Sequence, residues 1–238
     1  MQTDRFQTTQ TRTREIDEGL RQHMNNIYAK MTAGVLVTAI VAMVVSSSPF
    51  LYKLFMVGPQ QTIVMLAPLA IVWFGFRPDR MSSGKLMMVF FLLAVLYGIS
   101  FSTIAVVMAA SPEFGVTVAK AFFIATGMFA GMSVFGYTTK RDLSPMITFL
   151  VMGIWGVVIA GLLNYFIFHS PMLSMLRSMI AIPLFAGVTA WQTQNMKEMY
   201  SPSMPQEFAN RMGWAAALTL YISFIAMFAN ILNLMSQR

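Results

Sequence analysis

The stretch Leu86–Pro112, LMMVFFLLAVLYGISFSTIAVVMAASP, contains no Asp, Glu, Lys or Arg. A helix that crosses the hydrocarbon core of a bilayer needs roughly 20 consecutive, mostly apolar residues. This run supplies one crossing in a single piece. Outward from it, further uncharged runs cover Met31–Tyr52, Leu54–Phe76, Ala121–Thr139, Leu143–Leu176, Ser178–Met196 and Met212–Gln237. The run from Leu143 is too long for one span, but His169-Ser170-Pro171 interrupts it with turn chemistry. Its second part joins the run from Ser178, leaving Arg177 near the start of that span. The reading is an all-α, multi-pass transmembrane helical bundle with seven spans, near 29–48, 57–76, 86–109, 116–137, 144–168, 172–192 and 212–235.

Composition agrees. Of 238 residues 57% are apolar and only 11% are Asp, Glu, Lys or Arg, against roughly 25% charged in an ordinary soluble domain. A soluble surface needs more charge than this, and a surface in contact with lipid does not. The chain has no cysteine, which excludes disulfides and thiolate metal sites. The first 30 residues are polar, unlike a signal peptide, so the first span is expected to act as the insertion signal and remain in place. Residues 1–24 are rich in Gln, Thr and Arg with no apolar period, and read as a disordered or loosely helical polar cytoplasmic tail, mobile and open to proteases. Residues 25–238 then form the seven-span domain, with short loops and no internal repeat.

The net charge of +7 does not point to nucleic acid, because the basic residues lie between spans. With the N-terminus inside, Arg5, Arg12, Arg14, Arg21, Lys30, Arg77, Arg80, Lys85, Lys140, Arg141, Lys197 and Arg211 are cytoplasmic. Only Lys53, Lys120, Arg177 and Arg238 fall outside. This bias predicts a cytoplasmic N-terminus and an external C-terminus. Pro68 and Pro183 lie inside spans and are read as bends tolerated by neighbouring helices. Small residues crowd the fourth span: Ala125, Gly127, Ala130, Gly131, Ser133 and Gly136. Such a stripe lets backbones approach closely, and Gly127-x-x-x-Gly131 is expected to mark an internal packing seam.

Catalysis finds little support. His23 and His169 are the only histidines, and neither sits in a nucleophile–base, zincin or phosphate-loop pattern. No catalytic residue, metal or cofactor is expected. The nine acids are Asp4, Glu15, Asp17, Glu18, Asp79, Glu113, Asp142, Glu198 and Glu207, all in the tail or near loops. Proton and cation pathways usually carry such a group inside the bilayer. Met172, Met175 and Met179 share a helix face, where thioethers could hold copper(I). With no Cys or nearby His, methionine is read instead as a filler of irregular apolar gaps. Asn164, Gln192, Gln194, Ser223, Asn230 and Asn233 are read as interhelical hydrogen-bonding groups.

The stretch Phe135-Gly136-Tyr137-Thr138-Thr139-Lys140-Arg141-Asp142-Leu143-Ser144 resembles the bacterial Bax inhibitor-1 family, in its YccA-like branch. Ala121-Phe122-Phe123, Gly131-Met132-Ser133, Leu162-Leu163-Asn164, Phe185-Ala186-Gly187-Val188-Thr189-Ala190 and Leu220-Tyr221 support the likeness, which spans roughly residues 25–235. The resemblance implies six helices around a central seventh, residence in the bacterial inner (plasma) membrane and a role in membrane stress responses. It implies two kinds of partner: calcium ions passing through a pH-gated leak, and the membrane-anchored AAA protease FtsH, whose substrate and modulator this branch is described to be. The loop motif it carries is Gly136, Tyr137, Thr138, Lys140, Arg141 and Asp142.

Two positions depart from the pattern. Where the family has an aromatic followed by Asp-Thr-Gln, this chain has Trp191-Gln192-Thr193-Gln194. Where the family has Leu-Tyr-Leu-Asp-Phe-Ile, it has Leu220-Tyr221-Ile222-Ser223-Phe224-Ile225. Both acids of the family's pH sensor are thus replaced, at Gln192 and Ser223, and Arg80 or Arg77 would stand for its basic partner. Two carboxylates sharing a site titrate near neutrality because they cannot both ionise easily; an amide and a hydroxyl do not. The expected function is a non-catalytic modulator of membrane stress or membrane-protease quality control. The alternative is a calcium-permeable leak that has lost its pH switch, with Gln192 and Ser223 facing each other through a hydrogen bond, direct or by way of water.

Overall fold

Four Ser-Pro pairs open helices in this chain: Ser48-Pro49, Ser111-Pro112, Ser144-Pro145 and Ser170-Pro171. Proline suits the first helical turn because its missing N–H would have no partner there. At Ser48, Ser111 and Ser170 the hydroxyl also accepts the backbone N–H three residues on, at 3.4, 3.4 and 3.3 Å, the cap expected of serine. In the computed structural model the backbone is described for residues 2–237 and the side chains for residues 18–237. Among these the elements are α1 (Gln2–Ser47), α2 (Pro49–Met56), α3 (Gln60–Ala70), α4 (Ser83–Ala110), α5 (Pro112–Thr138), α6 (Ser144–Leu163), α7 (Pro171–Met199) and α8 (Gln206–Ser236), with no strand. One π-helical turn, Ile71–Gly75, extends α3, and another, Asn164–Phe168, extends α6.

Six helices have the length and apolarity of a span, and α2 with α3 forms a seventh that is bent by 71°. The bend falls at Val57–Pro59, where Gly58 takes a left-handed φ of 101° that a side chain would disfavour. The sequence placed a continuous span at 57–76; the structure replaces it with this broken one. Helix direction shows that the broken pair does cross. Thr38 of α1 donates to Ala94 O of α4, Gly34 faces Phe90 and Val41 faces Gly98, so α1 and α4 run parallel. The chain between them must return through the thickness of the bundle, and α3 makes that return, packing Val64 with Val45 and Ile99.

α8 is the central helix. Within its apolar window 61% of residues are buried, against 33% or less in every other long span. It is flanked by α1, α4, α5 and α7, while α6 packs outside on α7 and α3 on α4. The central helix is thus as the resemblance implied, but four helices rather than six lie directly against it. Its core is aromatic: Phe90 packs on Trp214 and Tyr221 at 5.4 Å each, and Tyr97 on Tyr221 at 5.9 Å. The Tyr221 hydroxyl donates to Thr38 Oγ1 at 2.7 Å, and the Thr38 hydroxyl in turn donates to Gly34 O or Ala94 O. Every buried hydroxyl in this chain of contacts is therefore paired, as burial in lipid requires.

Several local expectations change. On α5 the buried stripe is Ala121, Ala125, Phe129, Ser133 and Gly136, spaced three and four residues apart on one face. Gly127 and Gly131 point the other way, with nothing within 4 Å of where a Cβ would stand. The Gly-x-x-x-Gly pair is not an internal seam. α7 continues to Met199, through Pro183, so the loop expected near 193–211 shrinks to residues 200–205. α1 shows no break near residue 24; Met24 is buried and Leu20 packs against the core. Asn164 bonds within its own turn, with Oδ1 accepting from Ser170 N at 2.8 Å and Nδ2 donating to Ser170 O at 3.1 Å. Asn230 likewise donates locally, to Ala226 O. Asn233 does join two helices, accepting from Ser174 and Ser178.

Candidate functional site: a clasp between α7 and the α5–α6 turn

The last turn of α5 and the turn that follows carry Gly136 to Asp142. Ala190, Gln194 and Lys197 lie four and three residues apart on α7, so they form one face of that helix. Each holds a different part of the turn. Gly136 rests directly on the backbone of Ala190; a Cβ there would stand 2.8 Å from the Ala190 carbonyl carbon and 2.9 Å from its Cα. Gln194 Oε1 accepts from Leu143 N at 2.8 Å, and Gln194 Nε2 donates to Arg141 O at 2.8 Å. Lys197 Nζ donates to Tyr137 O at 2.9 Å and sits 4.8 Å from the centre of the Tyr137 ring. One amide and one ammonium thus satisfy three backbone groups of the turn.

The turn also closes on itself. Asp142 Oδ1 accepts from Ser144 N at 2.9 Å, opening α6, and Thr139 Oγ1 accepts from Arg141 N at 3.3 Å. The Ser144 hydrogen bonds hold the Asp142 carboxyl below its ordinary value. A lowered carboxylate stabilises the fold above its unfolded value and loses that contribution as pH falls through the folded one, so the turn is fully held at neutral pH. Thr138 Oγ1 bonds back to Val134 O. The side chains of Lys140, Arg141 and Asp142 remain exposed. Backbone is fixed and charge is presented.

A second clasp lies at the same end. Glu207, in the first turn of α8, accepts from Ser83 N and Ser83 Oγ at 2.8 Å each, and Arg211 donates to Pro78 O. The start of the central helix therefore holds the turn between α3 and α4. Arg21, Lys30, Arg77, Arg80, Lys85, Lys140, Arg141, Lys197 and Arg211 belong to this end by the directions of their helices.

Among the described residues no hydrogen bond or ion pair joins the three positions proposed for a lost pH switch. Gln192 on α7 and Ser223 on α8 are both buried, but among the described residues no direct hydrogen bond joins them. Gln192 instead lines a cavity of about 180 Å3 with His23, Asn195 and Thr219. Arg80 is exposed and pairs with its neighbour Asp79 at 3.3 Å. The basic side chain brought near the cavity is Lys30 of α1, which lies 4.7 Å above the Trp214 ring and lines an adjoining cavity of about 260 Å3. Both cavities share His23, Ile27 and Met204. The intervening residue, Thr193, meets Tyr28 of α1 at 3.1 Å. Met172, Met175 and Met179 are exposed on the far end of α7. Among the described residues no three His, Asp or Glu side chains gather as a metal would require.

The sequence showed Gln194 only as one of several interhelical hydrogen-bonding groups and Lys197 only as a cytoplasmic charge; the structure shows the turn that each one holds. Gln194 is the one amide of Trp191-Gln192-Thr193-Gln194 that stands a full turn beyond Ala190. Only the pairing of α7 with α5 reveals what it holds.

An all-α multi-pass bundle with a buried central C-terminal helix and a clasped, charged turn defines a class of integral membrane protein. The family described as "Inhibitor of apoptosis-promoting Bax1" matches residues 20–238. The chain belongs to this Bax inhibitor-1 family. It is 36% identical to the Rickettsia prowazekii protein RP147, over 97% of this chain and 96% of that one. It is 33% identical to the Escherichia coli inner membrane protein YbhL, over 92% and 93%. A membrane protein of Streptococcus pyogenes is 30% identical, over 93% and 95%.

Proposed function

We propose that the protein is a non-catalytic component of the bacterial inner membrane that modulates membrane stress or membrane-protease quality control through its clasped end. One observation carries this reading: the α5–α6 turn is fixed by Gln194 and Lys197 while Lys140, Arg141 and Asp142 stay exposed. A rigid charged knob loses little entropy on docking, and a membrane-anchored AAA protease is the partner the resemblance suggests. The name of YbhL supports the inner membrane. The concentration of Lys and Arg at the clasped end supports a cytoplasmic position for it and for the N-terminus. Reporters fused at the N-terminus and after Lys140 should both read cytoplasm; opposite readings overturn the orientation.

An AAA protease needs a polypeptide end to pull. The first residues of the chain would serve, but Leu20 and Met24 belong to the packed bundle, so the handle lies before Glu18. Deleting residues 2–17 should lengthen the protein's lifetime in cells that contain the protease and change nothing in cells without it. An unchanged lifetime in the first cells sinks the handle.

A second reading is an ion leak insensitive to pH. The cavity at Gln192 and its neighbour at Lys30 favour it, because they adjoin at the clasped end through His23, Ile27 and Met204. Calcium flux through the purified protein in liposomes should then vary little between mildly acidic and mildly basic pH. Installing Gln192→Asp and Ser223→Asp together should introduce pH dependence, and each alone should do less, because the repulsion that raises one carboxyl needs both. A steep pH dependence in the unmodified protein would place the sensor elsewhere.

A further inference from the structure

Between α1 and α5 the wall of the bundle is open. Tyr28 of α1 bridges the gap, its ring edge-on to Phe129 at 6.3 Å and its hydroxyl on Thr193. Around this bridge runs a lateral groove of about 500 Å3. Met24, Phe129, Ala130 and Val134 form its apolar walls, and Arg21, Asn25 and Tyr137 stand at its polar end. Tyr137 lies in the last turn of α5, so the polar end sits where the helix leaves the membrane, a level that Tyr favours. Lys197 lies against the same Tyr137 ring. Ser133 lines the groove as well, and its buried hydroxyl has no hydrogen-bond partner among the described residues.

We propose that this groove binds one acidic phospholipid, with an acyl chain along Ala130 and Val134 and the phosphate held by Arg21 beside Asn25 and Tyr137. The shape favours a lipid: one long apolar trough, entered from the side, ending in hydrogen-bond donors at interfacial depth. Beside Ala130 the outward face of α5 carries Gly131 and, one turn further from the polar end, Gly127, where no side chain projects and nothing stands within 4 Å. A flexible tail can lie flat there. The charge favours an acidic headgroup, since the groove is lined by Arg21 and no carboxylate. Basic pockets between spans on the cytoplasmic side are a recognised setting for anionic headgroups. A second copy of this chain could also use Gly127 and Gly131, but a helix with a small-residue face would leave the deep part of the groove, beside Ser133, unfilled.

Native mass spectrometry of the full-length protein tests this, with phosphatidylglycerol and phosphatidylcholine of matched acyl chains supplied in equal amounts. One phosphatidylglycerol should be retained per chain in clear preference to phosphatidylcholine. Arg21→Glu should reduce that preference by about five-fold or more, the equivalent of the ~1 kcal/mol that one basic group contributes at an anionic surface. Ala130→Trp, which fills the trough from an exposed position, should reduce retention of both lipids, and Lys53→Gln at the opposite end should alter neither. Equal retention of the two lipids by the unmodified chain would overturn the proposal. So would a folded Ala130→Trp variant that still holds phosphatidylglycerol, or a dimer lost in that variant while lipid retention persists. Should Ala130→Trp fail to fold, the Arg21→Glu comparison decides, because an unchanged preference there is equally fatal.

Discussion

Gly136→Ala is expected to destabilise the protein by about 3 kcal/mol or more, the upper range for overpacking a close contact. The added Cβ would enter the carbonyl group of Ala190, and neither partner atom belongs to a side chain that can rotate away. α5 and α7 would have to separate, which also pulls Lys197 from Tyr137 O and Gln194 from Arg141 O. Gly136→Val should abolish the folded state. Gly131→Ala is the matched control: the same substitution on the same helix, at an exposed site with nothing within 4 Å. It should stay within about 0.5 kcal/mol of the unmodified protein. Thermal unfolding in detergent compares them, and equal midpoints for Gly136→Ala and Gly131→Ala would refute the close approach of α5 and α7.

Gln194→Leu should cost about 2–4 kcal/mol, because it strands two backbone groups, at about 1–3 kcal/mol for each buried group left unpaired. Leu143 N loses its acceptor and Arg141 O its donor. The loss should be local before it is global. Lys140 and Arg141 are trypsin sites on an exposed turn that the clasp holds in place, so the variant should be cut there at temperatures where the unmodified protein resists. Gln194→Glu separates the two bonds. Its carboxylate still accepts from Leu143 N but cannot donate to Arg141 O, and it repels that carbonyl. Protonation restores a donor, so this variant should regain stability as pH falls through its carboxyl value. Trypsin resistance equal to the unmodified protein in Gln194→Leu would mean that the turn is held by other contacts.

Much of this fold was legible in advance. The uncharged runs located every long span, because hydrocarbon excludes charge over a fixed thickness. His169-Ser170-Pro171 marked the turn between α6 and α7, where His169 takes a left-handed φ of 49°. The second span was misplaced because hydropathy has no direction: Pro49–Met56 and Gln60–Gly75 read as apolar segments whether straight or bent by 71°. The small residues of α5 were misassigned for a related reason. A helix in lipid is apolar all round, so no polar face marks which side is buried, and Gly127 could not be told from Gly136.

The site divides along the same line. Family membership and the replacement of two acids by Gln192 and Ser223 were readable, since they depend only on residue identity and order. That Gln192 lines a cavity with His23, that Arg80 turns outward to Asp79 and that Gln194 holds the α5–α6 turn depend on which helices become neighbours. By itself the sequence determined the class, the number of crossings and the ends where charge collects, because lipid reads apolarity one helix at a time. Only the tertiary structure decided which face of each helix is inside, because between apolar helices that choice rests on shape: a glycine that admits a backbone, an amide that reaches two orphaned groups, and a seam between α1 and α5 left open.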